Sequence, residues 1–307
     1  VNDAVPKQGP EHSAGVLEVA IQGELGSNSH MAALRLFRAR ADAQCVLVPC
    51  ASAIDLFAWL AEPPPESASR GSHPRCAVLP IENSLHGAVF EHYDLLFESV
   101  VQVIAETQLH IRHNVIAAPG VRLADIRQVR SHPVALSQCR RWLRAHPHIE
   151  VMPFYDTAGS VKRLMVEGLR DVAGIAPELA ADEYGAQVIV PQIEDHAENY
   201  TRFLLLAPRG SAAGTAWFAQ DADKLSVAFT LEHKPGTLMD ALEVFRAAGV
   251  NLTKIESRPV PGQPWEYVFF VDVRFETAAQ IDGALARLRE RCVRLQMLGR
   301  YKAAETV

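Results

Sequence analysis

Ala77-Val78-Leu79-Pro80-Ile81-Glu82-Asn83-Ser84 is a short apolar run that stops abruptly in three polar side chains, with Gly87 close behind. Such a run reads as a buried strand, and polar groups at a strand's carboxyl end mark where α/β domains hold ligands. Before it, Glu62 to Arg75 carries three consecutive prolines and three serines, which makes it a loop. After it, Val89 to Phe97 reads as a helix, followed by strands over Gln102 to Leu109 and His113 to Ala118.

The same alternation holds on both sides. Val16 to Ile21 is a strand leading through Gly23 and Gly26 into a helix from His30 to Ala41, with Ser27 or Ser29 as its cap. Val46 to Pro49 leads through Ser52 into a helix from Ile54 to Leu60, and Arg130-Ser131-His132-Pro133 opens a helix over Ala135 to Arg144. Asp156-Thr157-Ala158 caps another helix, and Val172 to Ala176 is a strand of small residues. The pattern predicts an open, mostly parallel α/β architecture. Ser27, Ser29, Glu82, Asn83, Ser84, Ser131 and Thr157 all fall at strand-to-helix turns, so their hydroxyls and the nearby backbone N–H groups can converge on one anionic ligand.

Asn199-Tyr200-Thr201-Arg202-Phe203 then sets a hydroxyl beside a fixed cation at the mouth of the apolar run Leu204 to Ala207. That pair can hold a carboxylate and donate a hydrogen bond to a departing oxygen. Residues 209–222 read as a linker. Beyond them Leu225 to Leu231, Gly236 to Ala248, Asn251 to Val260, Tyr267 to Phe275, Ala278 to Cys292 and Val293 to Tyr301 follow the order βαββαβ of a ferredoxin-like unit.

Composition excludes several classes. The 307 residues carry a net charge of -6, with no basic surplus for nucleic acid or anionic membrane. Five scattered cysteines without a C-x-x-C pair signal neither a disulfide framework nor a zinc site and suit a reducing cytoplasm. Val1 to Gly15 lacks the basic and apolar regions of a signal peptide and reads as a disordered tail. No apolar run approaches the roughly 20 residues that span a bilayer. There is no G-x-S-x-G elbow to support a hydrolase triad.

Taken in order, Gly26-Ser27-Asn28-Ser29, Pro80 to Ser84 with Gly87, Tyr93-Asp94-Leu95-Leu96, Ser131-His132-Pro133 with Gln138-Cys139, Asp156-Thr157-Ala158, Asn199 with Thr201-Arg202-Phe203, and Glu256-Ser257-Arg258-Pro259 resemble the prephenate dehydratase family, its arogenate dehydratase branch included. The resemblance spans Val16 to Tyr301. It implies a catalytic region over 16–208 shaped like a type II periplasmic binding protein, with one subdomain over about 16–105 and 190–208 and the other over about 106–189. It also implies a C-terminal ACT domain over 223–303. The implied reaction removes water and carbon dioxide together, from prephenate to give phenylpyruvate or from arogenate to give phenylalanine, with no metal or organic cofactor.

By the same resemblance Thr201, Glu82, Asn83 and Gln138 are the catalytic set, and Ser27, Ser29, Ser84, Ser131, Thr157, Arg202 and Phe203 line the substrate. Thr201 gives the departing hydroxyl its proton, relays one from Glu82, or only orients it. Glu82 as a helix cap and Arg202 as the partner of a structural carboxylate are the plainer alternatives. Gly236, Thr237, Leu238, Asn251, Glu256, Ser257, Arg258 and Pro259 match the segments by which the family holds phenylalanine as an effector. A homodimer or homotetramer is implied. The competing class is an amino-acid sensor without catalysis. Val134 and Thr237 depart from the family pattern.

Overall fold

The structure is a computed structural model that describes residues 16–38, 45–62, 74–211, 221–260 and 262–305. The expected tail, most of the proline-rich loop and the centre of the linker lie outside the described residues. The first lobe contains β1 (Leu17–Gln22), α1 (Asn28–Phe37), β2 (Cys45–Cys50), α2 (Ala53–Ala61), β3 (Arg75–Asn83), the two-residue β4 (Gly87–Ala88), α3 (Phe90–Glu98) and β5 (Val101–His110). At Ile111 to His113 the chain crosses to a second lobe. There follow β6 (Asn114–Ala117), β7 (Gln128–Ser131), α4 (Pro133–Ser137), α5 (Arg140–Ala145), β8 (Glu150–Pro153), α6 (Thr157–Glu167), β9 (Val172–Ala176), α7 (Glu178–Tyr184) and β10 (Gln187–Val190). The chain then returns as β11 (Tyr200–Pro208), which slots between β3 and β5.

That return decides the sheet topology. Strand order in the first lobe is β2-β1-β3-β11-β5, with β1 parallel to its neighbours and β11 antiparallel to both of its own. The second sheet runs β10-β6-β9-β7-β8, and β6 is antiparallel to β9 and β10. The expectation of a mostly parallel fold holds by strand direction: apart from the two-residue β4, the described strands include one that runs against the rest of each sheet, β11 in the first and β6 in the second, because the chain crosses between lobes twice. Two interlocked α/β lobes joined by two crossings have the type II periplasmic-binding-protein arrangement. The expected handover after residue 105 falls inside β5, which continues to His110.

Sequence periodicity predicted one helix over Ala135 to Arg144, but the structure breaks it in two. Gln138 ends α4, and α5 starts afresh with the distant Asp195 carboxylate accepting from the N–H groups of Arg140 and Arg141, each at 2.9 Å. A carboxylate on the free N–H groups of a helix start replaces the lost intrahelical bonds. The break leaves the Gln138 side chain free to reach away from its own helix.

The C-terminal unit is β12 (Lys224–Thr230), α8 (Thr237–Ala247), β13 (Asn251–Pro259), β14 (Tyr267–Arg274), α9 (Ala278–Arg289) and β15 (Arg294–Tyr301). Its antiparallel order β13-β14-β12-β15 is that of a ferredoxin-like sheet. One face carries α8 and α9 over Leu225, Val227, Phe229, Val271 and Val273. The other face joins the first lobe: Phe270, Leu298 and Tyr301 are buried in one cluster with Leu96, Leu204 and Leu206. The Phe270 ring meets Tyr93 edge-on with centroids 4.9 Å apart. The close fit needs Gly299, where any Cβ would collide with the Val103 carbonyl oxygen of β5. The unit thus covers the back of the sheet that carries Thr201.

Candidate active site

Register assigns the side chains of β3 and β11 to their faces. Asn83 lies opposite Thr201 and Glu82 opposite Arg202, and because successive residues alternate sides the two pairs point opposite ways. Asn83 and Thr201 face the second lobe, whereas Glu82 and Arg202 face the C-terminal sheet.

The orientation of the Asn83 amide is fixed by backbone groups. Its Oδ1 accepts from the N–H groups of Leu85 and His86, both at 3.0 Å. Its Nδ2 must then be the donor, reaching Asn199 Oδ1 at 2.8 Å, Thr201 Oγ1 at 2.9 Å and the Tyr200 carbonyl at 3.1 Å. Thr201 Oγ1 therefore accepts from within the protein, and its own hydrogen is available to an oxygen outside it.

The chain of amides continues across the cleft. Asn199 Nδ2 donates to Gln138 Oε1 at 3.0 Å, and His113 Nε2 approaches the same oxygen at 2.7 Å. Gln138 Nε2 donates in turn to His86 Nδ1 at 3.0 Å, and His86 Nε2 meets Ser137 Oγ at 3.1 Å. One consistent set of directions runs from Asn83 to Ser137, with both imidazoles neutral and protonated on Nε2. His113 fits this assignment: its Nδ1 is buried without a hydrogen-bond partner among the described residues, and burial pulls its pKa down, partly offset by the Gln138 bond. Asn199, which the motifs included without a role, and His113 and His86, which they left aside, are further functional candidates.

Arg202 requires a correction. Expected at the substrate, it is a buried guanidinium on the reverse face, with Nε 2.7 Å from Glu106 Oε2, Nη1 2.6 Å from Asp272 Oδ2 and Nη2 donating to Tyr301 Oη at 3.0 Å. Glu82 is likewise turned away from the cleft, and its Oε1 accepts from Lys254 Nζ at 3.0 Å. Phe203 is 1% exposed and packs in the core with Leu17, Val78 and Leu205, so it lines no ligand.

The expected hydroxyls divide by what holds them. Ser27 caps α1, its Oγ accepting from His30 N–H at 3.3 Å, and Ser29 is buried within that helix. Ser84 Oγ accepts from Tyr200 N–H at 2.9 Å and so pins the start of β11. Ser131 is fully buried and donates to the Ile175 carbonyl at 2.5 Å, which removes it from the surface. Thr157 opens α6 behind the capping Asp156.

The turn after β1 meets the second lobe directly. Tyr155 Oη and Lys162 Nζ reach the Glu24 carboxylate at 2.8 and 2.7 Å, and Tyr184 Oη donates to the Leu25 carbonyl at 2.8 Å. Gly26, at φ +81°, lies so close to α7 that a Cβ would be 2.7 Å from Ala180 Cα. Where the crossings meet, a cavity of about 140 Å³ is lined by Asn28, His110, Arg112, Asn114, Glu178 and Gln192 among others. Arg112 forms no hydrogen bond or ion pair among the described residues.

A second cavity of about 300 Å³ lies on the C-terminal unit, lined by Gly236, Thr237 and Leu238 with Leu231, Tyr267 and Phe269. Trp265 and Met239, at its rim, are each 76% exposed. The second expected segment does not join it: Arg258 holds Asp94 of α3 through two bonds of 3.2 and 2.6 Å, and Glu256 lies 3.8 Å from Lys254. Asn251, Ser257 and Pro259 are exposed on the edge strand β13.

A profile of the prephenate dehydratase family matches residues 19–211, and one of the ACT domain matches residues 226–290. An Arabidopsis thaliana protein named arogenate dehydratase/prephenate dehydratase 2, chloroplastic, is 37% identical over an alignment of 301 residues that covers 95% of this chain and 74% of that one. The solved structure of prephenate dehydratase from Arthrobacter aurescens in complex with L-Phe is 30% identical at a TM-score of 0.76, covering 93% of this chain and 90% of that one. A structure described as GqqA, a novel type of quorum quenching acylase, is 27% identical at the same TM-score of 0.76, covering 93% and 98%.

Proposed function

From the premise that this chain belongs to the prephenate dehydratase family, we propose that it converts prephenate to phenylpyruvate, with arogenate as the other substrate to be tried. The reaction breaks the bond to the ring carboxylate, which leaves as carbon dioxide, passes that electron pair through the ring and expels the ring hydroxyl, which takes up one proton from the solvent and leaves as water. Aromatisation drives it. The protein has to hold the anions and stabilise the departing oxygen as charge develops there.

The observation that carries this reading is the Asn83 to Thr201 bond at 2.9 Å, which turns the Thr201 hydrogen outward. Thr201 is the donor to the departing hydroxyl. Asn83, Asn199 and Gln138 are amides, which hold no transferable proton, so they orient Thr201 and do not feed it. With Arg202 engaged elsewhere, Arg112 in the crossing cavity takes a substrate carboxylate, helped by Asn28 and Gln192. Steady-state rates on prephenate and arogenate test the assignment, and turnover of neither overturns it.

An acylase reading has no support from the serine at the cleft. Among the described residues the Ser137–His86 pair is that serine's contact with an imidazole, and His86 Nδ1 accepts from Gln138, so Nε2 carries the hydrogen and cannot take one from Ser137.

Phenylalanine is the effector we assign to the 300 Å³ cavity, where the left-handed Gly236 opens the backbone to an amino acid's charged end. Exposed Met239, Trp265 and Tyr267 around it, with exposed Ile255 on the edge strand β13, supply an apolar surface for a second copy, giving a homodimer or homotetramer. Calorimetric titration with phenylalanine and light scattering check both: no heat at millimolar ligand removes the effector, and a monomeric mass removes the assembly. No helix among the described residues is long and apolar enough to cross a membrane. The five free thiols favour a reducing cytoplasm, which a count of five titratable thiols in protein taken from cells would support.

A further inference from the structure

The reverse face of the β3–β11 pair is gripped by the C-terminal sheet. Arg202 Nη2 donates to Tyr301 Oη at 3.0 Å, Tyr301 Oη lies 2.6 Å from Ser226 Oγ, and Ser226 Oγ donates to Asp272 Oδ1 at 2.5 Å. Asp272 Oδ2 closes the ring on Arg202 Nη1 at 2.6 Å. Three of these four residues stand on β12, β14 and β15, and the fourth is the neighbour of Thr201. The charges balance: Arg202 and Lys224 face Glu106 and Asp272, with Lys224 Nζ 2.9 Å from Glu106 Oε2. On the paired strand, Glu82 is the neighbour of Asn83, and Lys254 of β13 holds it at 3.0 Å.

The strand ladder holds Thr201 and Arg202 against Asn83 and Glu82 but is interrupted directly beyond them on the β3 side. Pairing between β3 and β11 shifts at the step after Arg202, where Phe203 falls opposite Pro80 and Ile81 is skipped. Proline has no N–H to offer, and a bulge disrupts the ladder locally and lets the strand bend and twist more strongly. The C-terminal sheet supplies a constraint immediately behind the two residues whose mutual bond aims the Thr201 hydrogen.

We propose that Asp272, Tyr301 and Lys254 are positioning residues for the dehydration, holding Arg202 and Glu82 so that Thr201 and Asn83 keep their alignment across the cleft. This rests on Thr201 being the donor. It gives the ACT-type unit a part in catalysis that needs no effector.

The test is steady-state kinetics on the full chain, with Tyr301→Phe and Asp272→Asn made alone and with Thr201→Ala. Tyr301→Phe keeps the ring in its packing and removes one hydroxyl, so it carries the test if Asp272→Asn does not fold. A positioning role lowers kcat by about 3- to 10-fold, as expected for one hydrogen bond, with KM within about twofold. The decrease should vanish in the Thr201→Ala background, because no donor remains to be aimed. The same factor in both backgrounds, or a lowered melting point with unchanged kcat, overturns the proposal while leaving Thr201 as donor. If Thr201→Ala itself retains full kcat, the donor assignment fails and this inference with it.

Discussion

Changing Asn83→Asp tests the aim of the Thr201 hydrogen with almost no change of shape. The Nδ2 that is lost sits 2.8, 2.9 and 3.1 Å from Asn199 Oδ1, Thr201 Oγ1 and the Tyr200 carbonyl, so a carboxylate oxygen in its place faces three acceptors. The other oxygen keeps the N–H groups of Leu85 and His86. Two of the three acceptors have ways to respond. The Asn199 amide can turn over, provided Gln138 turns with it and both imidazoles move their hydrogen to Nδ1, which remains neutral and satisfied at His86. Thr201 can rotate its hydrogen inward to the new charge, forming a stronger bond than the one it loses. The Tyr200 carbonyl cannot adapt, but it already takes the Ser84 N–H at 2.8 Å. The variant should therefore fold with the threonine present and its donor turned the wrong way. Loss of one preorganised donor costs about 100- to 1,000-fold in kcat, or ~3 to 4 kcal/mol. Steady-state kinetics on the single variants and on Asn83→Asp with Thr201→Val supply the assay. All three should fall by about the same factor, since each removes the same outward hydrogen. Near-normal turnover of Asn83→Asp, or multiplied losses in the double variant, would refute the orientation argument.

Gly26→Ala should impair lobe closure: at φ +81° the new methyl would be 2.7 Å from Ala180 Cα, so the turn and α7 must separate. Overpacking and a left-handed alanine together cost about 2–5 kcal/mol, which thermal melting should show as a decrease of ~5 °C or more, with KM raised. Acid should weaken the fold through His113. Burial holds its pKa below the ordinary value, so the folded state resists the proton that the unfolded chain accepts. Its contribution is complete above about pH 6.5 and is lost as pH falls through and below that value. Burial depresses His30, His92 and His132 in the same direction, so His113→Gln should reduce, without abolishing, the loss of denaturation free energy between pH 7.5 and 5.5. An unchanged slope would place the acid sensitivity in the other three.

How far the chain could be read depended on how local each determinant is. The βαββαβ unit was legible almost to the residue, because helix period, strand alternation and turn chemistry all act within a few positions. The reversed direction of β11 was not, because β11 enters between β3 and β5 from far along the chain and no local pattern records a strand's direction. The split at Gln138 was hidden for the same reason: the carboxylate that restarts the helix belongs to Asp195. Arg202 is different, since the information was present. Thr201 and Arg202 are consecutive in a strand, consecutive side chains point to opposite faces, and a strand buried on both sides has only one face on the cleft. Motif reading grouped the two because they are neighbours in sequence, whereas alternation separates them into a hydroxyl on the side of the second lobe and a cation against the C-terminal sheet. The same rule, applied to Glu82 and Asn83, puts that carboxylate on the face away from Thr201. What no rule of local sequence could supply is the partner behind the sheet. Asp272 and Tyr301 acquire meaning only once the C-terminal unit is seen lying against β5 and β11, so the residue that looked most like a substrate clamp is the point where the two parts of the molecule are fastened.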